Sequence, residues 1–247
     1  MIFNFISIYF AIQSTLQTKI MFDKLLRYLQ GNSKFALLAL VSVSSIALLF
    51  FRIAGTRNLG FIFMVWNLFL AWVPLFYIKW VWEREVIRRI PTFWLLLHLS
   101  IWLLFFPNAP YIITDLLHLR ATPEYMIWYD AVMIFSFAVA GFLTGLYSIR
   151  IVHRLLTRRW NQYIAWAGIT TSMFLSGFGV FLGRYGRWNS WDIVSQPASL
   201  FRAVFHSMTD PFAIKHTFTF SFVLMLLYFA FHIFAEIKRN ESTHKYS

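Results

Sequence analysis

An all-α bundle of about six membrane-spanning helices is the fold class this sequence predicts, and three observations predict it. Of 247 residues, 59% are hydrophobic and 13% charged, with 29 Phe, 11 Trp and 11 Tyr. A soluble domain of this length has no need of so much apolar surface. Several apolar runs reach the ~18–20 residues that a helical bilayer crossing requires. The basic residues, finally, stand in short clusters beside those runs, the topogenic pattern of membrane proteins. That placement argues against nucleic acid as the reason for the net charge of +12. A large soluble domain has no room, and the absence of cysteine excludes disulfides, thiolate metal sites and cysteine nucleophiles.

In chain order, the sequence divides into an amino-terminal segment at the cytoplasmic surface (1–34), a helical domain (35–235) and a cytoplasmic tail (236–247). Met1 to Ile12 is apolar but short, with no basic residue ahead of it, and makes a poor signal peptide and a poor span. Met21 opens M-F-D-K-L-L and is an alternative start. The first twenty residues are therefore either an over-extended start or a helix along the membrane surface. The six spans are expected at about 35–51, 60–80, 91–106, 128–148, 165–182 and 212–234. Each is long enough to cross as a helix, which satisfies its own backbone in lipid. No internal repeat supports a two-fold transporter architecture.

The third span ends in F-P-N-A-P-Y-I-I-T-D-L-L-H-L, Phe106 to Leu119. Pro107 and Pro110 each lack an amide hydrogen, which disfavours one continuous helix through both. Asn108 suits an N-cap and Pro110 a first helical turn, so the pattern predicts a short broken or re-entrant helix from Ala109 to Leu119. At ~100° per residue, Tyr111, Thr114, Asp115 and His118 share one arc of that helix. Such a polar arc must face something other than lipid tails.

Fifteen of the 22 basic residues fall on the side that holds both termini. The positive-inside bias therefore predicts cytoplasmic termini. Three separate pieces of chain then bring polar residues to the outer face. The broken helix carries Asn108, Tyr111, Thr114, Asp115 and His118; the mouth of span four carries Tyr129 and Asp130. The loop after span five carries Arg184, Arg187, Asn189 and Asp192. Asn67 lies about two turns below the outer end of span two. Unpartnered burial costs several kcal/mol per polar group, so these residues are expected to meet one another or enclose water.

Two readings stay open for individual residues. Arg184 or Arg187 can pair structurally with Asp115, Asp130 or Asp192 beneath an interfacial Trp/Tyr belt. Taken together, three converging segments with opposite charges and a histidine point to a pocket. A pair of guanidinium forks suits a phosphate or carboxylate, and the amino end of the short helix offers amide donors. Asp115 and His118, at i and i+3, can serve as an acid–base pair, or as metal ligands with Asp130 or Asp192. A hydrogen bond between them inside a polar patch is the more ordinary arrangement. Gly141/Gly145 and Gly179/Gly183 form two G-x-x-x-G pairs, expected at different depths. Phe201 to Met208 is expected to be amphipathic at the outer surface.

W-N-L-F-L-A-W-V-P at Trp66–Pro74, L-F-F-P-N-A-P-Y-I-I-T-D-L at Leu104–Leu116, W-Y-D at Trp128–Asp130 and G-R-Y-G-R-W-N-S-W-D at Gly183–Asp192 together resemble a bacterial polytopic membrane family. It is the domain of unknown function family 1361. The resemblance covers roughly Arg52 to Phe234, with the first twenty residues additional to it. It implies a bacterial cytoplasmic-membrane protein of about six spans, and transfers no activity, substrate, cofactor or catalytic residue. The function expected first is a membrane protein whose outer-face pocket binds an anionic lipid headgroup or phosphate-like ligand, with the bilayer as partner. An envelope hydrolase or transferase on a lipid-linked substrate, using Asp115 and His118, is the alternative, and a transporter comes third.

Overall fold

The computed structural model describes residues 33–244; the expectations for the amino-terminal segment up to residue 32, and for residues 245–247, lie outside them. Nine α-helices appear among the described residues, with no strand. The long ones are α1 (Ser33–Thr56), α2 (Phe63–Ile87), α3 (Thr92–Phe105), α5 (Ile127–Arg159), α6 (Gln162–Gly186) and α9 (Pro211–His244). Between α3 and α5 lie the single turn α4 (Asn108–Tyr111) and 3-10 segments at Ile112–Ala121 and Glu124–Met126. The α6–α9 connection holds α7 (Asp192–Ser195) and α8 (Pro197–Thr209). Six helical stretches, counting 92–120 as one, are long and apolar enough to cross a membrane. The final helix continues past the expected span end through His244.

α5 is the hub. At 33 residues it measures about 50 Å, longer than the ~30 Å hydrocarbon core. Its most apolar window is 61% buried against the other helices, whereas that of α9 is 17% buried, so α9 is peripheral. One buried cluster joins Ile78, Trp102, Ile149 and Tyr228, and a second joins Met64, Ile112, Met133 and Phe137. At the proximal end, Arg159 pins two hairpins together. It reaches Glu85 at 3.3 Å and donates to Thr92 Oγ1 at 2.8 Å, while Glu85 accepts the Ile90 amide at 2.6 Å.

At the distal end, where α1 and α6 finish and α2 and α9 begin, the two prolines have the expected effect with a different outcome. The chain stays helical through residues 106–111, but the α-ladder gives way to 3-10 winding over Ile112–Ala121. The missing Pro107 and Pro110 amides interrupt the α-ladder just ahead of that segment, at the Leu103 and Phe106 carbonyls. Asn108 is not an N-cap. Its side-chain amide donates to the Phe105 carbonyl at 2.9 Å and the Ser190 hydroxyl at 3.1 Å, while Ser190 Oγ donates to the Leu104 carbonyl at 2.8 Å. Two carbonyls at the break are thus satisfied by side chains.

The same kinked segment is where both glycine pairs pack, so they do not sit at different depths. A Cβ on Gly141 would lie 3.0 Å from the Ala109 carbonyl, and one on Gly179 would lie 2.8 Å from the Pro107 ring. Small residues let α5 and α6 clamp the proline turn from two sides. α8 confirms the amphipathic expectation as three strips: half-buried Leu200, Ala203, Val204 and Ser207; exposed Phe201, Phe205 and Met208; exposed Arg202, His206 and Thr209.

Candidate functional site

A cavity of about 640 Å³ opens at the distal end, between α2, the kinked segment after α3, the end of α6 and the loop that follows. Its polar side is built on Asp115. The 3-10 winding places residues 115 and 118 in one row, since side chains three apart eclipse. Asp115 and His118 therefore face the cavity together. Asp115 is 1% exposed, and both its oxygens are engaged. Oδ2 accepts from Asn67 Nδ2 at 2.8 Å, and Oδ1 accepts from Arg184 Nη1 at 3.2 Å. Three segments separated by dozens of residues thus meet on one carboxylate.

His118 touches the same cluster by a route other than the expected one. Its Nδ1 lies 3.1 Å from the Asp115 backbone carbonyl and 3.8 Å from the Asp115 carboxylate, so the closer contact is with the main chain. Nδ1 also stands 3.4 Å from Arg184 Nη2. As N–H it donates to the carbonyl; as a lone pair it accepts from the guanidinium. The two tautomers exclude one another, and each satisfies Nδ1. Phe63 packs against the imidazole with centroids 4.9 Å apart.

The arginine loop follows from how α6 ends. Arg187 takes a left-handed conformation, φ 57°, and the Trp188 amide bonds the Leu182 carbonyl at 3.2 Å. Helix ends commonly carry glycine at such a left-handed position; a residue with a Cβ costs about 1 kcal/mol there. Arg187 is exposed, lines the cavity, and has no ion pair or hydrogen-bonding side chain among the described residues. Beyond it, Asp192 folds the loop rather than lining the cavity. Its carboxylate accepts the Asn189 amide at 2.7 Å and the Ser195 hydroxyl at 2.9 Å. The Asn189 amide bond holds the Asp192 carboxyl below the usual carboxylate range, against an opposing effect of burial. Asn189 itself lines the cavity.

Of the residues expected in the pocket, Asn67, Asn108, Tyr111, Asp115, His118, Arg184, Arg187 and Asn189 line it. Thr114 does not: its hydroxyl turns back to the Tyr111 carbonyl at 2.7 Å. Asp130 belongs elsewhere. It is fully buried and takes two bonds from Arg52, at 2.9 and 3.2 Å, plus one from Thr122 at 3.2 Å. Arg52, one residue past the expected end of span one, is the partner that the sequence reading missed. An aspartate inside the mouth of span four needs a cation, and the end of span one was a source at the same face. With Asp130 and Asp192 both committed, Asp115 and His118 find no third ligand. Among the described residues no group of three or more His, Asp or Glu is placed to hold a metal.

The apolar wall was also missed, because Trp66, Leu104, Leu182 and Leu200 look like ordinary span residues. Searches of curated proteins and of solved structures returned no match. Residues 66–229 match a family model, a range that begins at the cavity's Trp66 and contains all of its lining except Phe63. The match covers well over half of the sequence, and this membrane protein belongs to the family described as Protein of unknown function (DUF1361).

Proposed function

We propose that the distal cavity binds an anionic group, a lipid headgroup or another phosphate-like anion. The observation that carries this reading is Arg187. An arginine stands where glycine would be less strained, faces the cavity, and lacks a pairing acid among the described residues. The cavity therefore holds two guanidinium groups against the one carboxylate of Asp115. A bound anion restores the balance, and the planar forks suit phosphate oxygens. The basic bias of the sequence supports an orientation with this cavity on the outer side of the cytoplasmic membrane and the termini inside.

Acid–base chemistry at Asp115 and His118 is the weaker reading. Both Asp115 oxygens already accept hydrogen bonds, from Asn67 and Arg184, and so are committed to protein partners rather than to a substrate. Charge reversal, Arg187→Glu, tests anion binding. Arg187 is exposed, so the variant should express and fold as wild type does. Mass spectrometry of the purified protein should then find about 10- to 100-fold less co-purified anionic lipid, the loss expected for one charge-assisted contact. A variant that keeps its ligand would show the arginine to be structural and end this reading.

A further inference from the structure

We infer that the cavity is open sideways to the bilayer along the edge marked by Trp66 of α2 and Leu104 of α3, and that its ligand is a chain-bearing anionic amphiphile rather than a water-soluble anion. The inference rests on the anion reading above and extends it to the substrate class and the route of access.

Three surfaces lead to it. On α2, at ~100° per residue, Phe63, Asn67 and Leu70 share the cavity side, while Phe69, Phe76 and Trp80 form an exposed stripe on the other. Trp66 stands between them, lining the cavity while 53% exposed. On α3, Leu104 lines the cavity, and the same stripe continues downward through exposed Ile101, Leu97 and Phe93. In a six-span membrane protein such stripes face lipid tails. The apolar wall of the cavity is thus an extension of two lipid-facing helix surfaces. Trp191, 42% exposed, meets Trp66 edge to face with ring centroids 6.5 Å apart, so these two rings close the α2 side toward the loop and leave the Trp66–Leu104 edge as the apolar one.

The third surface is α8. Its Leu200 lines the cavity, its Phe201–Phe205–Met208 strip is exposed, and Arg202 and His206 occupy a separate strip. A helix with apolar and cationic strips side by side suits the plane of the headgroup layer. The cavity mouth then lies at headgroup depth, with the Arg184 and Arg187 cations above and the Leu104–Ile101–Leu97 stripe below. That order, cation over apolar trough, matches an anionic lipid standing in its leaflet. A soluble anion would have no use for the trough.

The full chain is reconstituted in two sets of vesicles of identical phosphatidylcholine and phosphatidylglycerol content. In one set the acyl-chain bromine is on phosphatidylglycerol, in the other on phosphatidylcholine. Bromine quenches a tryptophan it touches. If the cavity enriches the anionic lipid about tenfold, as one charge-assisted contact allows, quenching is stronger with bromine on phosphatidylglycerol, the excess coming from the cavity's share of the 11 tryptophans. That excess shrinks in Trp66→Phe, because Trp188 also lines the cavity, and disappears in Arg187→Gln; general enrichment around the bundle would survive Arg187→Gln. Quenching that ignores which lipid carries bromine overturns the lateral route. Calorimetric titration with glycerol 3-phosphate then separates the two ideas. Binding that needs Arg187 keeps the anion reading and makes the ligand soluble; no binding ends both.

Discussion

Two arginine–aspartate pairs occupy the same distal end, and they are finished differently. In the Arg52–Asp130 pair every guanidinium nitrogen has an acceptor. Nε and Nη2 go to Asp130 and Nη1 to the Asn58 carbonyl, while the Phe61 ring covers one face at 4.4 Å. The side chains are 6% and 0% exposed. In the Arg184–Asp115 pair one nitrogen meets the carboxylate and another only an imidazole; the arginine is 15% exposed and borders an open cavity. The first pair is a staple between α1 and α5, helped by the Tyr129 hydroxyl on the Leu48 carbonyl at 2.8 Å. The second, with Arg187 beside it, leaves positive charge and donors facing space. Identical residue types thus serve stability or recognition according to how many acceptors surround the cation.

The largest test of this contrast is at the staple. Asp130→Asn or Arg52→Gln leaves an uncompensated buried group and should destabilise the protein by about 3–5 kcal/mol, read as a lowered unfolding temperature in detergent. Replacing both residues with Met and Leu should recover most of that loss. Wild-type melting of Asp130→Asn would show that the pair holds nothing together. At the cavity, Arg184→Gln leaves Asp115 to Asn67 alone, and about 1–3 kcal/mol should be lost together with anion retention. A loss as great as at Asp130 would make the second pair a staple too, and erase the distinction.

A sharper result is expected at Arg187. Glycine there relieves the left-handed strain, so Arg187→Gly should raise stability by about 1 kcal/mol while co-purified anionic lipid falls. Opposite signs from one substitution would mark a residue kept for binding. If stability falls instead, the arginine supports the loop. The smallest effect belongs to Asp192. Its carboxyl is held below the usual range by the Asn189 amide, so its contribution is present above the ordinary carboxylate pKa, about 4, and is lost as pH falls through the lowered value. From neutral pH down to about 4 this group leaves the loop unchanged. Asp192→Asn should lower the unfolding temperature slightly at neutral pH and leave less to lose on acidification.

Much of the architecture was readable beforehand. The six spans, the disturbance at Pro107 and Pro110, and the meeting of Asp115, His118, Arg184 and Arg187 follow from hydropathy, missing amides and the alternation of span directions. Asp130 was grouped with the cavity because it lies at the right face. Its distance from Asp115 depends on how α5 is rotated, and rotation is a packing outcome. Asn108 was read as a cap because capping is a local habit of asparagine; Ser190, 82 positions further on, changed its partner. Thr114 failed as a cavity residue once the segment wound as a 3-10 helix and its hydroxyl met the Tyr111 carbonyl.

What the sequence determined by itself is therefore the medium, the number of crossings and the end of the bundle where the polar residues gather. These are properties of one span or one turn, set by transfer of side chains into lipid and by which backbone amides exist. Only the tertiary structure decided which acid each arginine meets, how the proline segment winds, and that the cavity wall continues the lipid-facing stripes of α2 and α3. Those outcomes depend on contacts between residues 48 to 82 positions apart, where helix rotation and close approach at Gly141 and Gly179 outweigh any local preference.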